Sequence, residues 1–496
     1  MADISFNHGV RVFESKEDVL PMRTAQSAVV FLLGTAPDAD ADAFPLDEPI
    51  LISGSTNYSL ATKLGDAGTL KDALDDIFDQ GERERLGAYV YVCRVEEGET
   101  HAETMANLVG DAAALTGLHA AKKVESKYGR KLRPRIFAAP GYSHQGATNG
   151  ISVAAVGNQG GGYTAVPVVT VTPAGGNTPT TPAKIRAILG EGADAGKIVQ
   201  LVIEQPGEGY TGAPTVSIGA PPVGGVQATG TLTVGVVGNP LVHEMEGLLA
   251  KMRAVAFTDG PNTTDAAAVT RRGKYGSDRI YITDPFVQVF DTDLEGVVSR
   301  PASARVAGVQ VRVDREIGFY KSVSNETIYG IDGVSRPINY GEQTNYLNEN
   351  CVGTIVSFGA GYKTWGNRTT DNSFLAVRRT KDFINDAIEE AWIAFVDKPM
   401  NDANIKFIVE SGRAFLRTLE AEGFLLKQSS DLWLDPSLNA PTEMRQGRIT
   451  LSVKFEPPPP MEDIRVITHP NIQAYTLLLD RVLGAIEGGS LAVTNL

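Results

Sequence analysis

The chain has 496 residues, of which 42% are apolar and 21% are charged, and its formal net charge is −14. These proportions are ordinary for a globular protein and argue against a disordered chain, while the length predicts more than one domain. The negative charge repels phosphate backbones and anionic membrane surfaces, so we expect no direct nucleic-acid binding and no membrane insertion.

The apolar runs and the cysteines further limit the class of protein to which this chain can belong. No run approaches the ~20 residues that a membrane-spanning helix needs. The first residues lack a basic region followed by an apolar one, so we expect no secretory signal and folding in a cytoplasm. Cys93 and Cys351 lie in apolar, strand-like runs. We expect two buried thiols, and an inter-subunit disulfide is the alternative.

Residues 1–20 are predicted to form an extended N-terminal arm. Its strand contains Val10, Arg11, Val12 and Phe13, and no neighbouring segment is suited to pair with it. Pro21 then ends the extended run. A frayed terminus is the alternative, but the apolar residues at alternate positions favour a strand that pairs elsewhere.

Residues 21–147 and 239–350 are predicted to form the two parts of one α/β domain, because strand-like and helix-like stretches alternate there. The run Ala28–Leu33 is apolar without alternation, which is typical of a strand covered on both faces. Helices are predicted over 67–80 and 103–127. Later, 279–291 is predicted to be one strand and 297–316 a helix.

Residues 148–238 interrupt this pattern with a stretch rich in Gly, Thr, Val and Pro that repeats itself. GGGYTAVPVVTV at 160–171 matches GEGYTGAPTVSI at 207–218, so Tyr163 corresponds to Tyr210 at an offset of 47 residues. Such a repeat predicts an inserted all-β domain of two units. The two tyrosines are a candidate surface-binding pair, and the alternative is that they anchor the repeat turns.

Residues 351–487 are predicted to form a C-terminal α+β domain. Residues 374–400 are predicted to contain an amphipathic helix through Ile384, Ile388 and Phe395, and 401–423 to form a second helix. The alternation in 448–457 predicts a half-buried antiparallel strand. A further amphipathic helix over 471–486 either closes the core of this domain or faces a partner. Residues 488–496, with Leu491 and Val493, are predicted to form a C-terminal arm strand.

No pattern of catalytic or metal-binding residues is present in the sequence. The six histidines are scattered without ligand spacing, and the sequence contains no nucleophile elbow and no phosphate-binding loop. The Gly-rich stretch 157–163 is not followed by a helix, so we interpret it as a turn. We therefore expect no enzyme, no metal and no cofactor.

Several segments, taken in order, resemble the sheath proteins of contractile phage tails and tailocins. They are HGVRVFE at 8–14, TAPDADADAFPLDEPILI at 35–52, RVEEG at 94–98, RPRIFAAPG at 133–141, REIGFYKSVSN at 315–325, YGIDGVSRPI at 329–338, WGNRTT at 365–370 and VDKP at 396–399. The resemblance covers nearly the whole chain except 148–238.

The resemblance implies a multidomain tail-sheath architecture, α/β plus α+β, with extended arms. It implies a structural subunit of the virion tail, assembled in the host bacterial cytoplasm as hexameric rings stacked helically around a tail tube. The expected partners are further copies of the chain, the tail tube protein, and baseplate and tail terminator proteins. Contraction then drives the tube through the host envelope. The arms add strands to sheets in neighbouring subunits. The helix 471–486, with Tyr475, Asp480 and Arg481, is the candidate tube-facing helix.

Two other functions stay open at this point. A surface-exposed or secreted β-rich protein would use 148–238 to bind carbohydrate, or would be hydrolytic. A bacterial secretion-system sheath or a tailocin would share the contractile mechanism, and the sequence does not separate these from a phage.

Overall fold

The computed structural model describes residues 27–54, 56–81, 88–146, 149–179, 182–190, 192–235, 237–291, 294–359 and 361–487. Both predicted arms, 1–20 and 488–496, lie outside these residues, and so do Val10, Arg11, Val12, Phe13, Leu491 and Val493. The described residues form two compact units, one up to residue 460 and one from residue 461 onward.

The helices are α1 Leu70–Phe78, α2 His101–Val109, α3 Ala121–Tyr128, α4 Pro240–Met252, α5 Asp265–Arg272, α6 Ser303–Glu316, α7 Glu342–Glu349, α8 Leu375–Trp392, α9 Asp402–Ala421, α10 Pro441–Arg445 and α11 Gln473–Glu487. The strands are β1 Val29–Thr35, β2 Ile50–Ser53, β3 Tyr89–Val95, β4 Ile136–Ala138, β5 Gly150–Asn158, β6 Val169–Thr172, β7 Lys184–Leu189, β8 Ile198–Gln205, β9 Thr215–Ile218, β10 Thr229–Gly235, β11 Val255–Asp259, β12 Ile280–Thr283, β13 Val287–Asp291, β14 Gly296–Arg300, β15 Gly333–Val334, β16 Val352–Ser357, β17 Tyr362–Trp365, β18 Asp431–Leu434 and β19 Leu451–Lys454.

An eight-stranded sheet forms the centre of the first unit, in the order β17-β16-β12-β11-β4-β1-β3-β2. The inner strands are parallel, and the two edge strands, β2 and β17, run antiparallel to their neighbours. The mainly parallel sheet predicted from the alternating elements is therefore present.

Strand β1 shows why its sequence lacks alternation. Val30 and Leu32 pack with α1 and α6 on one face of the sheet, while Val29, Phe31 and Leu33 pack with α2, α3 and α4 on the other. Both faces are covered by helices, so every position of the strand is buried and apolar. The prediction for Ala28–Leu33 is confirmed.

The strands between 150 and 235 pair only with one another among the described residues, as β5 with β10, β6 with β9, and β7 with β8. Their buried side chains form a separate hydrophobic cluster. Each pair joins one strand from the first sequence repeat to one from the second, so the two repeats complete each other.

The C-terminal part of the first unit combines α8 and α9 with a two-stranded sheet of β18 and β19. Phe383 of α8 stacks on Phe319 with ring centroids 3.6 Å apart. Leu451, Val453 and Phe455 pack on the same cluster, as the alternation in 448–457 predicted, although β19 itself is shorter than that range.

Three predicted elements are wrong because a proline or glycine divides them. The segment 279–291 is two strands, β12 and β13, separated at Pro285, and they belong to different sheets. The predicted helix 297–316 begins with strand β14, and Pro301 separates this strand from α6. The helical stretch 103–127 divides into α2 and α3 after Gly110, whose φ is 67°.

The predicted domain boundary at residue 350 also differs from the structure. Strand β16 pairs with β12, and β17 pairs with β16, so the eight-stranded sheet extends beyond that position. Cys351, with φ of 59°, lies in the turn that leads into β16. The boundary at 350 therefore falls inside the stretch of chain that builds the sheet.

Candidate assembly surfaces

The sheet of β18 and β19 is held on α9 by close backbone packing. A Cβ atom at Gly412 would lie 2.6 Å from Cδ1 of Leu432, a side chain with no exposed surface. Arg413 of α9 donates from Nε to the carbonyl oxygen of Leu432 at 2.8 Å. Within the part of the chain that the structure describes, each of these strands has only the other as a strand partner, so the sheet has two edges.

The connection between β18 and β19 is fixed by one buried side chain. Asn439 donates from Nδ2 to the carbonyl oxygens of Asp435 and Thr450, both at 2.8 Å, and accepts from the Thr450 amide at 2.8 Å. This bridge holds the strands in register without a tight hairpin turn. Two strands alone are marginally stable, so a further strand added at either edge would stabilise the sheet. The β18–β19 sheet is therefore a suitable template for strand addition.

Helix α11 belongs to the second unit and carries the predicted tube-facing residues. Tyr475, Leu479, Val482 and Ile486 recur at helical spacing and are 73%, 57%, 45% and 56% exposed. Asp480 and Arg481 are exposed as well. A stripe of exposed apolar side chains on one helix is typical of an interaction surface.

Tyr163 and Tyr210 are not a surface-binding pair, and this prediction is wrong. Their side chains are 5% and 1% exposed. The Tyr163 hydroxyl accepts from the Ala228 amide at 2.9 Å and donates to the Gly219 carbonyl oxygen at 3.1 Å. The Tyr210 hydroxyl accepts from the Ala183 amide at 2.8 Å. The tyrosines anchor the turns of the repeats, which was the alternative interpretation.

The backbone amide hydrogen bonds of these tyrosines obey the same offset of 47 residues as the sequence. Tyr163 N donates to Gly196 O at 3.1 Å, and Tyr210 N donates to Asn149 O at 2.9 Å. Because 163 and 210 differ by 47, and 149 and 196 do too, each bond is the counterpart of the other with the repeats exchanged. Residues 149–235 therefore have internal pseudo-two-fold symmetry.

A network of ion pairs joins α8 to the amino-terminal side of the large sheet. Asp386 binds Arg133 at 2.9 Å, Arg135 at 2.5 Å and Arg253 at 2.8 Å. Asp382 binds Arg279 at 2.5 Å. This network was not predicted from the sequence. Its only sequence signal is the spacing of Asp382, Asp386 and Glu389 along one face of α8.

The buried polar groups near the ends of the strands are structural. The Asp259 carboxylate accepts from the hydroxyls of Ser143 at 3.0 Å and Ser303 at 2.6 Å, and its exposed fraction is zero. Burial raises the pKa of Asp259 to about 6. Both hydroxyls are themselves buried, so neither is available to a substrate.

The described residues contain no group of His, Cys, Asp and Glu suited to hold a metal ion. Cys93 and Cys351 are both buried free thiols, and burial raises the pKa of the Cys93 thiol above its usual range. Of the helices in the described part of the chain, none has the length and hydropathy to cross a membrane.

Two models of one family match the chain. The phage tail sheath protein central domain matches residues 234–370, and the phage tail sheath C-terminal domain matches residues 368–469. Tail sheath proteins of Burkholderia phage BcepMu and Escherichia phage P2 are 28% and 25% identical, over 92% of this chain and 95% and 94% of theirs. A prophage major tail sheath protein of Pseudomonas aeruginosa is 37% identical over 48% of this chain, and the match spans 63% of that relative.

Solved structures share the fold. The helical sheath of the anti-feeding prophage in its contracted state aligns with a TM-score of 0.56 and 17% identity, over 94% of this chain and all of that one. The contracted sheath of an extracellular contractile injection system, PVC, aligns with a TM-score of 0.57 and 14% identity, over 95% of this chain and 99% of that one. At these identities the likeness concerns the fold alone.

Proposed function

The chain belongs to the phage tail sheath family, as a structural subunit of a contractile sheath, and we propose that six copies form a ring around a tail tube. The rings stack helically, assemble in the host cytoplasm and contract to drive the tube through the host envelope. The observation that carries the proposal is the match to sheath proteins along almost the whole chain. The carbohydrate-binding or hydrolytic alternative has no support, and its candidate tyrosines are buried.

The arms at 1–20 and 488–496 link the subunits in this proposal. They add strands to the β18–β19 sheet of neighbouring subunits, whose two edges leave backbone groups available for pairing. Each added hydrogen bond contributes only about 1 kcal/mol, so a single link between two subunits is weak and can adjust. The many links in a polymer of many copies are together strong. Subunits then rotate and slide without dissociating.

Contraction needs no nucleotide in this mechanism. Contacts with the tube, the baseplate and the terminator hold the sheath in an extended, higher-energy arrangement until they are released. A gain of about 1–3 kcal/mol per subunit on repacking adds up over many copies. The α/β domains carry the new contacts, and the inserted all-β domain at 148–238 lies on the outside where it does not obstruct them.

Assembly is tested by negative-stain electron microscopy of the purified chain at raised concentration without nucleotide. Hollow cylinders or stacked six-fold rings are expected. Deletion of residues 1–15, or the pair Val10→Asp and Val12→Asp, is expected to abolish them. Arg11→Gln, at a position that strand alternation predicts on the opposite face, is expected to leave them intact. Particles that stay monomeric at every salt and protein concentration would refute self-assembly.

The tube contact of α11, through the face near Tyr475, Asp480 and Arg481, is tested separately by co-sedimentation with purified tube protein. Leu479→Asp places a charge within the exposed apolar stripe and is expected to reduce binding at least about tenfold, because a buried unpaired charge is costly. Lys427→Gln, at an exposed position outside the second unit, serves as the control. Unchanged binding of Leu479→Asp would show that the tube is contacted elsewhere.

A further inference from the structure

The large sheet ends on each side in an antiparallel edge strand, β2 or β17. An edge strand presents backbone groups that a strand from another chain can bind. On β17 the segment 325–328 of the same chain covers this edge. The amide of Asn325 donates to the carbonyl oxygen of Thr364 at 2.7 Å, and the amide of Thr364 donates to the carbonyl oxygen of Glu326 at 3.0 Å. The backbone groups of β17 that point away from the sheet are therefore already paired at this residue.

The edge of β2 is covered in another way, by the side chain of Asn57. Its Oδ1 accepts from the Ser53 amide and its Nδ2 donates to the Leu51 carbonyl oxygen, both at 2.8 Å. The Ser53 carbonyl oxygen accepts from the backbone amide of Asn57 at 3.2 Å. Pro49, which directly precedes β2, has no amide hydrogen to donate. A side-chain amide carries a donor and an acceptor as a peptide group does, so Asn57 takes the place of a neighbouring strand.

The position of Asn57 in the chain makes this use of its side chain informative. Asn57 directly precedes the 3₁₀ helix Tyr58–Leu64, and an asparagine at such a position ordinarily accepts from an amide in the first turn of the helix. Among the described residues, the Asn57 side chain makes no such bond to its helix and binds the strand instead. Leu51 and Asn57 are only half-buried, so the edge lies where another chain can reach it.

We propose that Asn57 closes the β2 edge of the large sheet to strand addition by other copies of this chain. Without its side chain, the Ser53 amide and the Leu51 carbonyl oxygen form an unpaired donor and acceptor on an edge, the pattern that recruits a further strand. The partner that the open edge takes is an extended segment of a second copy. One consequence rests on the proposed function: closed edges on the large sheet direct exchanged strands to the β18–β19 sheet.

Self-association of the full-length chain tests the proposal, starting from a dilution at which gel filtration shows a monomeric wild type. Asn57→Ala is expected to associate at concentrations at least about tenfold lower than the wild type, because an open edge gains backbone hydrogen bonds that a covered edge does not. Asn177→Ala is the matched control. The Asn177 side chain accepts from the Thr211 amide at 3.4 Å and donates to the Gly209 carbonyl oxygen at 3.2 Å, away from the large sheet. This control is expected to behave like the wild type.

The variant Asn57→Asp separates an open edge from a loss of stability. Its carboxylate still accepts from the Ser53 amide but cannot donate to the Leu51 carbonyl oxygen, so this variant is also expected to lose stability, which urea denaturation measures. A charge at an edge strand deters pairing. Asn57→Asp is therefore expected to stay monomeric at concentrations where Asn57→Ala associates. Association of both variants, or of neither, overturns the proposal.

Hydrogen exchange of the Ser53 amide locates the contact. In dilute Asn57→Ala this amide is expected to exchange at least about tenfold faster than in the wild type, because its acceptor is gone. In the associated species it is expected to regain protection, because the added strand supplies a new acceptor. Association that leaves the Ser53 amide unprotected would place the contact elsewhere and overturn the proposal.

The two proposals fail in different ways. A wild-type chain that never forms cylinders would refute the sheath assembly, while concentration-dependent protection of Ser53 in Asn57→Ala would still establish that Asn57 closes the edge. Cylinders from the wild type, together with an Asn57→Ala variant whose Ser53 amide gains no protection on association, would retain the assembly and refute the closure of the edge.

Discussion

Asp386 is the carboxylate on which three arginines meet, and its side chain is 6% exposed. Arg133 and Arg135 come from the segment before β4, and Arg253 follows α4, so one side chain of α8 holds together parts of the chain distant in sequence. A carboxylate placed in this way contributes more than an exposed ion pair, because among the described residues Arg135 has no other carboxylate partner, while Arg133 and Arg253 keep only Glu125 and Glu389.

Replacing Asp386 by Asn is therefore expected to lower the free energy of unfolding by about 3–5 kcal/mol. Urea denaturation of the monomeric chain measures the change. Glu390→Gln is the control, because Glu390 is 36% exposed and lies 3.6 Å from Lys131, which is an exposed pair worth less than about 1 kcal/mol. A similar small loss for both variants would show that the network contributes little.

His144 is expected to make the stability depend on pH in the acidic range. Burial, with the positive charge of Arg271 as a smaller cause, lowers the pKa of His144 to about 4, from 6.5 in an exposed histidine. The unfolded chain therefore binds this proton first as the pH falls, and the stability contributed by neutral His144 is lost between about pH 6.5 and pH 4.

The variant His144→Phe keeps an aromatic ring against Phe286, whose centroid lies 5.3 Å from that of His144. Between pH 7 and pH 4.5 the Tm of the wild type is expected to fall further than the Tm of this variant. Subtracting the curve of Tm against pH of the variant from that of the wild type removes the contribution of the other titrating groups. Parallel curves would show that His144 does not titrate differently in the folded and unfolded chain.

Among the elements, the paired strands of the two repeats depend on the buried hydroxyls of Tyr163 and Tyr210. Tyr163→Phe leaves the buried Ala228 amide without its acceptor, and Tyr210→Phe does the same to the partly buried Ala183 amide, at a cost of about 1–3 kcal/mol each. Tyr163 is expected to cost more, since its hydroxyl makes two hydrogen bonds to the backbone. Tyr340→Phe, at a 63% exposed position, is the control. Denaturation monitored by amide exchange in 149–235 measures these costs, and an effect no larger than that of the control would contradict the anchoring role.

At the scale of the whole molecule, the β-strands between 150 and 235 can be removed without separating the two ends of the remaining chain. Gly150 and Gly235 are directly paired across the β5–β10 ladder. Paired residues of antiparallel strands have Cα atoms about 5 Å apart, so a two-residue turn can replace everything between them.

Replacement of residues 151–234 by Gly-Gly is expected to leave cylinder formation intact in electron microscopy. The free energy of unfolding of the remaining chain is expected to change by less than about 1 kcal/mol, because the rest of the fold keeps its own hydrophobic clusters. A chain that folds but no longer assembles would place these strands in the subunit contacts.

The sequence by itself determined the features that depend on local periodicity. The apolar run at Ala28–Leu33 predicted a strand buried on both faces, and the offset between Tyr163 and Tyr210 predicted a two-unit β structure. The order of motifs along the chain indicated the family. These signals are readable because burial on two faces, and repetition of a unit, act on residues close together in sequence.

Only the tertiary structure decided which strands pair and which side chains are buried. The repeats pair with each other, which buries both tyrosines, and β16 with β17 extends the large sheet past the predicted boundary at 350. The carboxylate of Asp386 meets arginines more than a hundred residues away. Such contacts depend on distances between segments remote in sequence, and no local pattern of residues encodes those distances.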